Sequence, residues 1–507
     1  MKQVFIFLLF VSMGSYAQSP DDALRSMWFN GGGTARNRAT GGVMGSLGGD
    51  ITANHVNPAG LGLFKTNEFV LSPGLFLNNA KFNYRGTDTA NRNNAFSFGT
   101  SGWVWGNPGH RGSKWTSTAI AISVNQLASF NYNIQFKGLN NRSSFTEQYL
   151  EELTRDRADT LAALDRYVFG SSLAFRTFLI DTLQGAGGSF IGYKSLVPIS
   201  TGVIQSYDVR SNGSAQEIAI GTAGNIDDKL YVGGSFTIPI IQQRRELIYS
   251  ETDATNNPNN DFAFFEYRES FVSRGVGVGA KLGMIYKPKE YIRLGLAFHT
   301  PQYISYKDEV RASLTANTEN YAGTRTESSN RLRNNDPGIK EYGVLSPWKL
   351  IASASYVFRE VIDTRRQRAF ISADIEYISY RAIRFHAIDQ TNVLLAYYDQ
   401  LNEATKDTYK GNFNLRLGGE VKFNTFMFRA GAAYIGSPYA DDALKAKRVL
   451  LSGGLGYRNK GIFIDLTYVH NINEDVQFPY RLNDKPNTFA VQRGSIGNLI
   501  ATFGIKF

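Results

Sequence analysis

From Phe413 to Phe423 the chain alternates without a fault. Phe413, Leu415, Leu417, Gly419, Val421 and Phe423 take one parity, and Asn414, Arg416, Gly418, Glu420 and Lys422 take the other. A period of two with one apolar and one charged face predicts a β-strand between two different environments. The pattern recurs where Ile292, Leu294, Leu296 and Phe298 oppose Arg293, Gly295, Ala297 and His299. It recurs again where Ile371, Ala373, Ile375 and Tyr377 oppose Ser372, Asp374 and Glu376. Strands are expected with centres near residues 72, 98, 120, 218, 236, 279, 296, 353, 375, 417, 430, 452, 466 and 500. Their connections also alternate. Short links at 106–114, 225–228, 287–290, 359–368, 424–425 and 458–461 are interleaved with longer ones at 79–94, 126–213, 250–261, 311–346, 384–410, 437–445 and 473–493. About fourteen antiparallel strands with short turns on one side and long loops on the other predict an all-β fold, a transmembrane β-barrel.

The N-terminus adds two pieces. Lys2, the apolar run from Val4 to Val11, and Ser15-Tyr16-Ala17 have the layout of a cleaved secretion signal over residues 1–17. Residues 18–66 then precede the barrel of residues 67–507. Ser19-Pro20-Asp21-Asp22 predicts the start of a short helix through Phe29, because Ser19 can cap and the two Asp complement the helix dipole. Beyond it lie the glycine-rich run Ala39–Asp50 and then Asn57-Pro58-Ala59-Gly60-Leu61. Such a compact Gly/Asn/Pro segment suits a plug, or hatch, folded inside the lumen. No later stretch approaches about 18 consecutive apolar residues, so no transmembrane helix is predicted. Only helices and closed barrels satisfy their backbone in lipid.

Composition sharpens the picture. With 35 Phe, 27 Tyr, 50 Gly and no Cys, the chain has the make-up of a barrel and offers no disulfide framework. The net charge of +10 reads as loops facing anionic lipid headgroups rather than a nucleic-acid surface, since an exported chain rarely meets nucleic acid. Phe145, Tyr149, Leu153 and then Leu161, Leu164, Val168 recur at helical spacing, which predicts one or two amphipathic helices in the longest loop.

Enzymatic chemistry finds little support. His55, His110, His299, His386 and His470 are scattered, with no HExxH and no GxSxG. Gly275-Val276-Gly277-Val278-Gly279 is a strand-face pattern, and no cofactor is expected. The inward-parity charges Asp374, Glu376, Arg416, Glu420, Lys422, Arg429 and Asp465 mix both signs, which predicts a lumen ion-pair network pinning the hatch. A cation such as Arg416 or Lys422 is the alternative seat for a carboxylate.

Asn57-Pro58-Ala59-Gly60-Leu61, after its glycine-rich lead, resembles the hatch motif of the FadL/TodX family of outer-membrane transporters for hydrophobic compounds. Pro347-Trp348-Lys349-Leu350, Asp374-Ile375-Glu376-Tyr377 and Asp465-Leu466-Thr467-Tyr468 resemble the family too, and Phe507, last and on the apolar face, resembles the barrel-assembly signal. The resemblance implies a monomeric, fourteen-stranded barrel in a bacterial outer membrane. Its partners would be a fatty-acid-like or aromatic ligand, outer-membrane lipids, lipopolysaccharide and the barrel-assembly machinery. Ligand would be caught by extracellular loops and would leave sideways through a gap made by a kink in the third strand, after Thr118 to Val124. Asn125, Gln126, Ser129, Asn131 and Asn133 are the kink candidates, and Asn57, Pro58, Ala59 and Gly60 the hatch or gating residues. Barrels of this kind also serve as docking components of protein-secretion or surface assemblies, which is the competing expectation. A lipid-degrading enzyme is a distant third.

Overall fold

The computed structural model describes residue 24 and residues 32–110, 112–358, 368–388, 391–441 and 446–507 of the chain. The expected signal and, apart from Leu24, the expected helix from Ser19 to Phe29 lie outside the described residues. Among the described residues, fourteen antiparallel strands close into a barrel. They are β1 (Glu68–Leu71 and Pro73–Tyr84), β2 (Thr87–Phe98 and Ser101–Pro108), β3 (Trp115–Ser129 and Tyr132–Asn140), β4 (Val203–Ile226), β5 (Leu230–Asp253), β6 (Phe264–Lys289) and β7 (Ile292–His299 and Tyr303–Asn317). The circle continues through β8 (Gly338–Leu345 and Lys349–Phe358), β9 (Ala369–Ser379 and Arg384–Ala387), β10 (Gly411–Phe423), β11 (Phe426–Ile435), β12 (Arg448–Asn459), β13 (Ile462–Gln477) and β14 (Ala490–Lys506). β14 pairs with β13 and with β1, which closes the wall.

The alternation seen in the sequence becomes the two faces of this wall. On β10, Phe413, Leu415, Leu417, Val421 and Phe423 are exposed on the outside, while Asn412 and Asn414 are buried in the lumen. Ten residues at about 3.3 Å each, tilted by about 40°, span about 25 Å, the height of a membrane's apolar band.

Several expected loops prove to be strand. Residues 79–94 form a hairpin turning at Arg85-Gly86, where both φ angles are positive (52° and 84°), as a type I′ turn demands. β3 runs on to Asn140 and β4 begins at Val203, so the longest loop shrinks to about sixty residues. Outside the apolar band both faces of a strand meet water, so pairing continues while the alternation that reveals it disappears. On β5 the outward Phe236, Ile238 and Ile240 give way to Gln242, Arg244 and Glu246. The wall is therefore uneven. β4, β5 and β6 have 24, 24 and 26 residues, whereas β11 and β12 have 10 and 12.

The short turns lie at the hatch end of the barrel. At the far end, between β3 and β4, sit α3 (Glu147–Arg155), α4 (Thr160–Asp165) and α5 (Ser171–Arg176), numbered after the two hatch helices below. Phe145, Tyr149 and Leu153 are buried there, and Phe145 stacks on Tyr249 of β5 at 4.4 Å. The second expected apolar stripe is corrected in part: Leu161 is 70% exposed, Val168 packs against the cap's apolar cluster as expected, and Ala163 and Tyr167 are buried in that cluster as well. The helix restarts at Thr160 under an Asp159 cap, which resets the angular register. A longer helix, α6 (Asn392–Thr408), occupies much of the expected 384–410 loop.

The hatch holds α1 (Ala35–Ala39), α2 (Ala53–Val56) and a 3-10 turn (Pro58–Leu63). Its backbone lies directly on lumen-facing glycines of the wall. A Cβ on Gly418 would overlap the Thr40 carbonyl, one on Gly295 the Gly45 carbonyl, and one on Gly283 the Asn57 side chain. Gly418→Val is expected to expel the hatch while leaving the barrel closed. The readout is a severalfold rise in ion conductance across a planar bilayer, with heat-dependent gel migration unchanged; unaltered conductance would refute the seal.

Candidate functional site

Above the hatch lies a cavity of about 170 Å³. Gly33, Arg38, Thr52 and His55 of the hatch form its floor. One side is apolar, with Ala433, Ile435, Leu450 and Val469 of β11–β13 packed as one cluster. The other side is charged, with Glu217, Lys281, His299, Lys349, Glu376 and Arg416 from β4 to β10. A cavity of about 150 Å³ is enough to hold benzene, so this chamber accepts a small aromatic molecule or the head and first carbons of a longer one. Another apolar cluster of the structure joins Phe130, Tyr306, Tyr342, Phe385, Tyr398 and Leu401, and Leu24 is buried in it.

The floor is tied to the charged side. His55 Nδ1 donates to Glu217 at 2.8 Å, and Nε2 accepts from the Ser123 hydroxyl at 2.9 Å, the neutral tautomer that satisfies both. Burial pushes the His55 imidazole below its ordinary pKa, against the opposing pull of Glu217. Lys281 is ion-paired to Glu217 and donates to the His55 carbonyl at 3.0 Å. His299 Nε2 donates to the Val56 carbonyl at 2.8 Å. The C-terminal end of α2 is thus held by wall side chains. The Lys349 side chain lines the chamber and makes no hydrogen bond or ion pair among the described residues, while its backbone pairs with β7 and β9.

The other sequence candidates fall into three groups. Asp374 accepts from the Met44 and Gly45 amides at 2.9 and 3.0 Å, and Arg36 of α1 reaches Glu420 at 3.3 Å. Glu420 pairs with Arg429 at 2.6 Å, and Arg429 with Asp465 at 2.6 Å. These charges bind the hatch to β9–β13. Glu376 and Arg416 pair with each other at 2.8 Å on the chamber wall, whereas Lys422 is not part of the chamber lining.

Asn57, Pro58, Ala59 and Gly60 lie outside the chamber lining and hold the hatch together. Asn57 Nδ2 donates to the Gly45 carbonyl at 2.5 Å and to the Met284 carbonyl of β6 at 3.2 Å, and its Oδ1 accepts from the Ala59 amide at 3.1 Å. Pro58 opens the 3-10 turn. Ala59 packs on Tyr231 and Ile285, and Gly60 touches Gly48 too closely for any side chain.

On β3, Asn125, Gln126 and Ser129 mark a break. The β2–β3 ladder runs from Pro108↔Ser117 to Ser101↔Val124 and stops. Beyond it, among the described residues, Thr87–Phe98 pairs only with β1, and Tyr132–Asn140 only with β4. Gln126 begins a bulge against β4, and its Oε1 accepts from the Phe98 amide at 2.7 Å. Asn125 Oδ1 accepts from the Gly33 amide and from the Thr100 hydroxyl, each at 2.9 Å. Ser129 receives the Asn131 side-chain amide at 3.1 Å. Of these candidates only Asn125, together with Leu127, lines the chamber.

Sequence reading missed Lys281, Lys349 and Glu217, and it dismissed His55 and His299 as scattered. Parity would have found the two lysines: with Leu282, Met284, Leu350 and Tyr356 facing lipid, Lys281 and Lys349 must face inward.

A plugged transmembrane β-barrel with a lumen chamber is the class these features define. Its fold is that of the FadL/TodX transporters. The chain is similar to the toluene transporter TodX of P. putida, with TM-score 0.52 and 15% identity over 94% of this chain and 99% of that one. It is equally similar to a FadL homologue of Pseudomonas aeruginosa, with TM-score 0.54 and 13% identity over 94% and 99% of the two chains. No protein-family model and no curated protein matches the sequence.

Asn57→Ala removes the contacts that join the 3-10 turn, the glycine-rich run and β6. The expected cost is about 1–3 kcal/mol of hatch docking. Faster proteolysis of the hatch within an intact barrel is the check; a wild-type rate would count against this role.

Proposed function

We propose that the protein is an outer-membrane channel through which hydrophobic small molecules pass passively. The observation that carries this reading is that the chamber reaches the wall break: Asn125 and Leu127 belong to both. The far end then faces outward and the hatch end faces the periplasm. Ligand enters past the far-end cap, settles in the chamber, and leaves between β2 and β3 into the membrane. Sideways exit keeps an apolar solute out of water, which is the favourable course for greasy surface. One structural neighbour, TodX, is a toluene transporter, which supports an apolar cargo. Lys349 beside an apolar wall favours a cargo with an acidic head and a hydrocarbon body, of the fatty-acid type, over a plain hydrocarbon.

On this reading the protein works as a monomer, surrounded by outer-membrane lipids and lipopolysaccharide, after export on a cleaved signal and insertion by the barrel-assembly machinery. A docking role in a secretion or surface assembly would instead use the helical cap of α3–α5 and would have no use for a chamber open to a wall break.

Two measurements test the proposal. Mass spectrometry of molecules retained after mild detergent extraction is expected to show enrichment of one apolar class over an unrelated barrel. Leu127→Trp, which fills the break, is expected to cut uptake of a labelled apolar acid severalfold at equal barrel abundance. Unchanged uptake would overturn the sideways route, and absence of any enrichment would favour docking.

A further inference from the structure

The chain's net charge of +10 is not spread evenly. Along the long connections and the strand extensions beside them, acidic and basic residues nearly balance by sequence. Within the lumen, the charges of hatch and wall also nearly cancel. By sequence, the short connections and the residues beside them, at 106–114, 225–229, 287–290, 359–368, 422–425 and 458–461, carry twelve Lys or Arg against five Asp or Glu, a net of +7.

The cations there are arranged around the circumference. Lys114 lies between β2 and β3, Lys229 between β4 and β5, Lys289 at the β6–β7 turn, Arg368 before β9 and Lys460 between β12 and β13, and all five are exposed. Among the described residues, the exposed acids of these connections are Asp227, Asp228 and Glu290. Asp228 is partly offset by Lys65 at 3.7 Å. By sequence, Arg111, Arg359, Arg365 and Arg366, and the acids Glu360 and Asp363, belong to the same connections.

Three of these cations also sit at one level. Lys114 adjoins Trp115, Lys289 is two residues from Tyr291, and Lys460 is three from Tyr457, and each of these rings is exposed on the outer face. Aromatic rings with an amphipathic character mark the edge of the apolar band, and a cation one step beyond them stands at headgroup height. A protein partner would need a patch on one side. A collar that recurs in five of the six short turns fits a planar, phosphate-bearing layer.

We propose that the hatch-end collar binds anionic phospholipid headgroups of the leaflet that surrounds it, which makes the barrel selective for anionic lipid at that end. The inference rests on the reading above that the barrel spans a bilayer.

The test uses the full chain assembled into nanodiscs from equal amounts of phosphatidylethanolamine and phosphatidylglycerol. The protein is then moved to mild detergent, and the lipids that stay with it are quantified. At least a threefold enrichment of phosphatidylglycerol is expected, falling to parity at high salt and in the combined variant Lys114→Gln, Lys229→Gln, Lys289→Gln, Lys460→Gln. A matched far-end variant, Lys137→Gln, Arg210→Gln, Arg244→Gln, Lys307→Gln, is expected to keep the enrichment. Equal retention of both lipids by an inserted barrel would overturn the proposal, as would enrichment that survives the collar variant. Displacement of the lipid by inorganic phosphate at matched ionic strength would assign the site to free phosphate and overturn it too. A chain that fails to enter nanodiscs, with no heat-dependent shift in gel migration, would overturn the membrane reading and the proposal together.

Discussion

A backbone amide that faces hydrocarbon has no water to turn to, so every peptide group in the wall must find its partner within the protein. Closing β14 onto β1 meets that demand around the ring. The β2–β3 seam is where the ladder stops early, and the structure shows what replaces it. The Phe98 amide turns to Gln126, and Thr100 to Asn125, which also receives an amide of the hatch. A break in such a wall exists only where polar side chains take over the work of the missing strand. That requirement explains why amides cluster where an otherwise apolar strand leaves its neighbour.

The hatch answers a related problem. A glycine-rich segment has few large side chains; Val43, Met44, Leu47, Ile51, Leu61 and Phe64 are buried against the wall, and the rest of its stability must come from its own backbone and from wall groups. Wall glycines let it approach to backbone contact, and wall charges then bond to groups left over: Asp374 to two amides, Arg293 to the Leu47 carbonyl at 2.7 Å, Lys281 and His299 to the end of α2. Isolated buried charges would be expensive, but here each is shared among partners of opposite sign or with backbone dipoles. The hatch is fixed by many moderate contacts instead of one strong lock.

Most of the barrel was legible from the sequence because lipid imposes a period of two, and any stretch crossing the apolar band must show it. The strand centres and the short turns follow from that rule alone. What stayed hidden lies outside the band. Val203–Gln216 and Gln242–Asp253 pair as regular strands, yet with water on the outer face nothing in their residues enforces alternation. Helix α6 was missed for the same reason. At the site, the inward charges of β9–β13 were found because their strands alternate cleanly. Glu217 was not, because small residues around it blur the apolar face, and Lys281, although its parity with Leu282 and Met284 marks it as inward, was passed over. The Asn57 motif was visible, but its role as a brace beneath the chamber depends on meeting β6 more than 200 residues away, at a separation of 227.

The contacts of the hatch carry a consequence for the order of folding. The Ala35 amide bonds to Thr502 across 467 residues, its carbonyl receives Thr467 across 432, and the Ala39 carbonyl receives Ser452 across 413. Loop-closure entropy must be met before contacts that distant yield any return. The segment made first by the ribosome therefore gains its stability last, when the final strands arrive. Until then α1 lacks these contacts, and an arrest anywhere before β12 leaves the hatch held only by the earlier strands, through Asn125, Lys281, Arg293 and Asp374.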